Sequence, residues 1–227
     1  MFPLYDDQQT KTFPFVTILL VAVNAWIFAA WQLRVGIEKS VHLAALVPAE
    51  WSHAPTPISF SHMLASMFMH GSWMHLIGNM WFMWIFGNNV EDAVGHFRFV
   101  IFYFVCGVCA DFSHIAATPF SHVPMIGASG AISGVLGAYL VLHPRAMVTT
   151  LVPLGIFTRL IDIPAAFFLL YWIVIQILSQ AASQVPSRHA AASGGVAYLA
   201  HIGGFFTGLV LIFFFKKNAR SVSLNRS

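Results

Sequence analysis

The segment Met125-Ile126-Gly127-Ala128-Ser129-Gly130-Ala131-Ile132-Ser133-Gly134 decides how this chain can fold, because its small residues open an apolar run that continues to Leu142. Pro144 ends the run, since proline cannot continue a helix. Gly130 and Gly134 have the spacing of four that lets membrane helices pack closely. The segment also suits a nucleophile. The glycines around Ser129 allow other backbone to come close, and the unpaired amides at the start of a helix could point towards a bound group. The segment alone leaves both interpretations open.

Composition places the chain in a membrane. Of its 227 residues, 58% are hydrophobic and only 8% are charged, and the mean hydropathy is +0.76. Soluble domains carry about 25% charged residues, so this surface could not be covered in water. The formal net charge is only +3, and no basic cluster is interleaved with aromatics, so we expect no nucleic-acid partner. The lipid bilayer is the expected surrounding.

Six segments are apolar enough to predict helices that cross a bilayer, which requires about 20 residues each. They are residues 13–33, 63–87, 99–112, 125–142, 163–182 and 195–215. The predicted fold is therefore an all-α membrane protein: one six-helix bundle over residues 1–227, with its core at about 13–215 and short polar tails. Residues 34–62 are too polar and proline-rich to span, and predict a structured loop at the interface. Residues 147–160 predict a membrane-hugging connector, and residues 184–194 a loop.

The distribution of Lys and Arg predicts the orientation. Six crossings put both termini on one side, which would carry Lys11, Arg98, Arg145, Arg159, Lys216, Lys217, Arg220 and Arg226. The other side would carry Arg34, Lys39 and Arg188. Cytoplasmic segments are enriched in such cations, so both termini are expected in the cytoplasm. The first apolar run lacks a small-residue cleavage site and predicts a retained anchor. Without a mitochondrial-type presequence, a bacterial inner membrane is the expected location, and an organelle membrane is the alternative.

Polar side chains inside the predicted spans point to function, because they are costly in lipid. His75 and Asn79 are four residues apart and share a helical face. His201 precedes Gly204 and Gly208 on a stripe of small residues suited to close helix contact. Packing this stripe against the glycines after Ser129 would bring His201 to the serine.

This set of residues predicts acyl transfer. Ser129 becomes nucleophilic when a base takes its proton, and a buried neutral His201 can accept it. The Ser129 amide, the Asn79 side chain and the His75 ring could stabilise an oxyanion. Most candidate carboxylates fall at the wrong end of the bundle, and a serine–histidine dyad is therefore favoured over a triad; those considered are Glu91, Asp92, Asp111 and Asp162.

Three motifs in register resemble the rhomboid intramembrane serine proteases. They are His70-x4-His75-x3-Asn79, Gly127-Ala128-Ser129-Gly130, and Ala200-His201-Ile202-Gly203-Gly204 with Gly208. The stretch Phe86-Gly87-Asn88-Asn89-Val90-Glu91-Asp92, followed by Gly95, Phe97 and Tyr103, is also similar to that family. The resemblance covers residues 47–208.

The resemblance implies a six-helix fold with a membrane-embedded first loop at residues 36–60, and a fifth span that serves as a lateral gate. It implies an endopeptidase that cuts transmembrane helices of other membrane proteins through an acyl-enzyme, without cofactor or metal. Ser129 would be the nucleophile and His201 the base. His75 and Asn79 would stabilise the oxyanion, and Gly127 would give the backbone room there.

Several points remain open on the sequence. His70 could hold water in the pocket or be an interfacial residue. Many relatives have a tyrosine four residues after the nucleophile, where this chain has Ser133, which leaves the support of the His201 ring undecided. The main alternative function is a catalytically silent rhomboid-like protein that binds and escorts membrane proteins. A metal transporter is the second, suggested by the 11 histidines, although they lack compact ligand spacing. The substrate and the oligomeric state stay unknown.

Overall fold

The computed structural model describes residues 1–154, 157–183 and 196–217, and most of them are helical. The long helices are α1 (Phe15–Val35), α5 (Trp73–Val94), α6 (His96–Ala117), α7 (Ser129–Leu142), α8 (Ala165–Ser183) and α9 (Tyr198–Phe215). Three short helices lie between α1 and α5, namely α2 (Ile37–Ala44), α3 (Pro48–His53) and α4 (Pro57–Ser66). The strands are β1 (Phe2–Asp6), β2 (Met147–Leu154) and β3 (Phe157–Pro164).

The predicted membrane character of the chain is confirmed. Four helices, α1, α6, α8 and α9, are long and apolar enough to cross a bilayer, and α7 is a shorter apolar helix. The chain is therefore a multi-pass integral membrane protein. The third segment is longer than predicted, because α6 includes His96–Phe97 at its start and continues to Ala117. The predicted loop at residues 184–194 lies outside the described residues.

The predicted start of the second span is wrong. Residues 63–66 belong to α4, the chain turns through residues 67–72, and α5 begins at Trp73. The Ser72 hydroxyl caps α5 by accepting a hydrogen bond from the His75 amide at 3.1 Å. A serine at the N-cap satisfies an amide that has no partner within the helix, which explains why the helix begins here rather than in the apolar stretch before it.

The all-α prediction is also wrong, because the chain contains a three-stranded antiparallel sheet in the order β1-β2-β3. The expected connector at residues 147–160 forms the β2–β3 hairpin, and the expected N-terminal tail supplies β1. The run Val148-Thr149-Thr150 is β-branched and buried, which favours a strand over a loop. Asp6 fixes β1 to the bundle by accepting hydrogen bonds from Asn89 on α5, at 2.8 Å, and from the Tyr139 hydroxyl on α7.

Helices α7 and α9 approach each other through glycines. A Cβ atom placed on Gly204 would meet the backbone oxygen of Gly130, and one on Gly208 would meet the backbone of Gly134. On the other helix, a Cβ on Gly137 would meet the carbonyl of Phe205. No side chain separates the two backbones along this face, so the predicted small-residue packing is confirmed.

The remaining contacts define two ends of the bundle. At one end, Glu91 accepts hydrogen bonds from the Val16 and Thr17 amides that open α1, at 2.9 and 2.8 Å. Lys217, just after α9, donates from its amide to the Ala93 carbonyl at 3.1 Å. The end of α5 therefore lies beside the start of α1 and the end of α9, and α5, α7 and α9 all begin at the opposite end.

The segment between α1 and α5 is folded against the residues that precede α7. Leu46 and Met125 exchange two backbone hydrogen bonds of 3.2 and 2.7 Å, and the Ala49 amide donates to the Ser121 carbonyl at 2.9 Å. Trp51 packs edge-on against Phe112 of α6. The predicted structured loop is thus a set of three helices that supports the entry to α7.

We predict that Gly208→Ala destabilises the protein, because the new methyl group would meet the Gly134 backbone, which cannot move aside as a side chain can. Overpacking of this kind costs about 1–3 kcal/mol. Gly78→Ala on α5 is the matched control, since nothing lies within 4 Å of its added Cβ. The free energy of unfolding in mixed detergent micelles should fall for Gly208→Ala and hold or rise for Gly78→Ala. Equal stability of the two variants would contradict the close packing of α7 and α9.

Candidate active site

The predicted serine and histidine are in direct contact. Ser129 is the first residue of α7, and His201 lies one turn into α9. Ser129 Oγ is 2.7 Å from His201 Nε2, a normal distance for a hydrogen bond between a hydroxyl and a ring nitrogen. The glycine contacts between α7 and α9 bring these two side chains together from positions 72 residues apart.

Gly127 opens the space beside the serine. Its φ of +118° is a conformation that glycine adopts without strain and other residues rarely do. A Cβ at Gly127 would lie 2.7 Å from His75 Nε2 and 3.6 Å from Asn79 Nδ2. Two side-chain nitrogens of α5 thus converge on the backbone two residues before Ser129.

These two nitrogens are available as hydrogen-bond donors. The Gly71 amide donates a long hydrogen bond of 3.4 Å to His75 Nδ1, which leaves the proton of the neutral ring on Nε2, the atom nearest Gly127. Asn79 Nδ2 is buried and has no hydrogen-bond acceptor among the described residues. Helix α7 has no side-chain cap, so the Ser129 amide in its first turn is a third donor without a partner in its own helix.

His70 lies behind His75 and not against the serine. Its side chain is fully buried, and neither ring nitrogen has a hydrogen-bond partner among the described residues. Its ring is edge-on to the His75 ring, with centroids 5.1 Å apart. Gln32 of α1 fixes its backbone, accepting from the His70 amide at 2.9 Å and donating to the His70 carbonyl at 3.1 Å. The role of His70 in holding water stays a prediction.

The candidate carboxylates do not orient His201. Glu91 and Asp92 hold the chain at the start of α1, and Asp162 accepts from Thr149 at 2.6 Å in the sheet. Asp111 is buried on α6, and its Oδ2 has no partner among the described residues. Among the described residues, Ser129 and His201 therefore form a hydrogen-bonded pair without a carboxylate partner.

Sequence reasoning missed the residues that hold the His201 ring. Gln176 Oε1 on α8 is 2.8 Å from His201 Nδ1. Trp172, one turn earlier on α8, faces the ring with centroids 6.0 Å apart and planes 33° apart, and Tyr198 approaches it edge-on. The signal was present, because Gln176 is a polar residue within an apolar span. Ser133 instead donates its hydroxyl to the Ser129 carbonyl at 2.6 Å.

The described residues contain no group of three or more His, Cys, Asp and Glu side chains placed to hold a metal ion. Two histidines of the site make other contacts: His201 contacts Ser129 and Gln176, and His75 is bonded to the Gly71 amide. What the arrangement offers chemically is a hydroxyl, a base and a cluster of N–H donors.

Comparison with known proteins supports this picture. Residues 58–218 of the chain match the rhomboid domain family. This range includes every predicted site residue. It is 31% identical over 137 residues to the presenilin-associated rhomboid-like protein, mitochondrial, of Rattus norvegicus, covering 60% of this chain and 33% of the relative. It is 30% identical over 162 residues to rhomboid protease GluP of Bacillus subtilis (strain 168), covering 63% of this chain and 30% of the relative.

A third relative extends the similarity towards the N-terminus. Rhomboid-like protein 11, chloroplastic, of Arabidopsis thaliana is 29% identical over 206 residues, covering 87% of this chain and 64% of the relative. The chain spans about a third of the length of the mitochondrial relatives it matches. Because the rhomboid domain match covers more than half of the chain, including the motif-bearing helices α5, α7 and α9, the protein belongs to the rhomboid family.

Proposed function

We propose that the protein is an intramembrane serine endopeptidase that cuts transmembrane helices of other membrane proteins with a Ser129–His201 dyad. The observation that carries the proposal is the 2.7 Å contact between Ser129 Oγ and His201 Nε2, next to donors that converge on Gly127. Family membership supports the class of reaction, because one relative is named as a rhomboid protease.

In the first half-reaction, Ser129 Oγ attacks the carbonyl carbon of a peptide bond while His201 Nε2 takes the hydroxyl proton. The negative charge that develops on the carbonyl oxygen is met by the Ser129 amide, His75 Nε2–H and Asn79 Nδ2–H. His201 then gives its proton to the leaving amine as the carbon–nitrogen bond breaks. The products are a free amine on one fragment and an ester between Ser129 and the other.

In the second half-reaction, water attacks the ester carbonyl and His201 Nε2 takes a proton from it. The same donors stabilise the second oxyanion, and the proton returns to Ser129 Oγ as the ester bond breaks. All bonds and protons balance with water as the only co-reactant, so the reaction uses no cofactor.

The proposed substrates are membrane-spanning segments, because the site lies at the starts of α5, α7 and α9 within a multi-pass membrane protein. We propose six crossings, α1 and α5 to α9. β1 and β2 pair in one sheet and so lie on one side of the membrane, which requires an even number of crossings between them; α1, α5, α6 and α7 satisfy this requirement. From the distribution of Lys and Arg, we propose that this side is cytoplasmic.

We predict that the wild-type protein in detergent cleaves a single-span test substrate and that Ser129→Ala and His201→Ala each abolish cleavage. Removing a nucleophile or its base costs on the order of 10⁶ in kcat. The measurement is the appearance of cleavage fragments, with and without a chelator. Gly78→Ala is the control for effects of mutation and purification that do not involve the site, since nothing described lies within 4 Å of its added Cβ.

The outcomes separate the candidate functions. Binding of the substrate panel with no cleavage of any member would replace the proposal with the escort function. Cleavage that survives Ser129→Ala and is lost with chelator would mean that a metal, and not the dyad, carries the chemistry.

We further predict that Gly127→Ala lowers kcat by at least about 100-fold, the cost of losing an oxyanion-hole donor. The new Cβ would displace His75 Nε2, which it would otherwise approach to 2.7 Å. Gly36→Ala is the matched control, because Gly36 also has a positive φ, of +95°, but has nothing within 4 Å of its added Cβ. If both variants lose activity equally per folded molecule, backbone strain and not the donor cluster explains the loss.

A further inference from the structure

The orientation of the catalytic base is provided by α8, a helix that contributes none of the residues singled out by the motifs. Gln176 Oε1 lies 2.8 Å from His201 Nδ1, on the side of the ring opposite Ser129. An amide oxygen can only accept a hydrogen bond, so the proton of the neutral imidazole must be on Nδ1. Nε2 is then unprotonated and faces the Ser129 hydroxyl, which is the tautomer a general base requires.

Packing does not account for a glutamine at this position. Ile173 is the last buried residue of α8, and every residue from Val174 to Ser183 is partly or fully exposed. Neighbours such as Val174, Ile177 and Leu178 are apolar side chains exposed on the helix surface. A polar side chain in this setting is costly unless it is hydrogen-bonded, and its hydrogen bond is with the ring of His201.

The hydrogen-bond partner of His201 Nδ1 is the uncharged side chain of Gln176, and this matters because other titratable groups act on the ring. Among the described residues, the titratable groups that act electrostatically on His201 are His75 on α5 and His114 on α6. No carboxylate of the described residues is bonded to the ring. The partner therefore selects the tautomer by hydrogen bonding alone, without adding a negative charge that would stabilise the imidazolium.

We propose that Gln176 is a positioning residue that holds His201 in the tautomer with Nδ1 protonated and Nε2 free to accept the proton of Ser129. It takes the place that a carboxylate has in a catalytic triad, and Trp172 on the same face of α8 fixes the plane of the ring. No proton moves to the amide during the reaction. This inference rests on the proposed function for its catalytic meaning, whereas the tautomer is a property of the protein itself.

The kinetic test compares Gln176→Met, Gln176→Glu and Gln180→Met in the full-length protein. Methionine keeps the length of the side chain but removes the acceptor, so kcat should fall ~10–100-fold with KM unchanged, the size of effect seen when the hydrogen-bond partner of a metal-ligating histidine is lost. Gln180→Met makes the same chemical change one turn later and should leave kcat unchanged. Gln176→Glu keeps an acceptor and should retain activity. The acidic limb of its kcat profile should move to higher pH, because the carboxylate stabilises the imidazolium.

A second readout keeps the inference testable if the protein cleaves nothing. Nitrogen-15 chemical shifts of the imidazole rings, with His201 assigned by comparison with His201→Ala, report which ring nitrogen carries the proton. The wild type should show Nδ1 protonated, and Gln176→Met should show a mixture of tautomers. A wild-type ring protonated on Nε2 would overturn the inference, as would a Gln176→Met variant with the kcat and pH profile of the wild type. Absence of cleavage with the expected shifts would overturn only the proposed function.

Discussion

The close approach of α7 and α9 is the constraint on which the site depends. Ser129 and His201 are each fixed by their position on these helices, so the 2.7 Å between their side-chain atoms is set by how near the two backbones come. Gly137, Gly204 and Gly208 permit that approach because a Cβ at any of these positions would meet the backbone of the facing helix. In a membrane, where helices are not driven together by exclusion of water, such packing is the main source of association. The glycines are thus structural residues with a direct consequence for the distance between the proposed nucleophile and its proposed base.

The direction of the helices adds an electrostatic consequence. Helices α5, α7 and α9 begin at the same end of the bundle, and the site is built from their first two turns: His75 and Asn79, then Ser129, then His201. The start of a helix carries a partial positive charge and amides without partners. Three such ends surround the position where a negative oxyanion would form, and they disfavour additional positive charge there. The site is therefore suited to anionic intermediates formed with a neutral base.

Much of this arrangement could be predicted from the sequence. A periodic pattern in the sequence indicates which residues share a helix face. It therefore predicted the common face of His75 and Asn79, and the faces formed by the glycines after Ser129 and after His201. The sheet was missed because β1 is only five residues long and its partner comes from residues 147–154, a pairing that no local pattern reveals. Gln176 was missed for a related reason: its role depends on where α8 lies relative to α9, and a single polar residue in an apolar span does not show which helix it faces.

The sheet also has a consequence for biosynthesis. Asp6 and Tyr139 are 133 residues apart in the chain, and β1 pairs with a strand that follows α7. At about 5–20 residues per second, β1 is synthesised roughly 7–27 s before Tyr139, and its partner strand β2 follows still later. During that time α1, α5, α6 and α7 are synthesised while β1 keeps an unpaired edge, which is prone to wrong pairing. β1 precedes these helices in the chain but is among the last of these elements to reach its final place, and its docking marks the completion of the first four long helices.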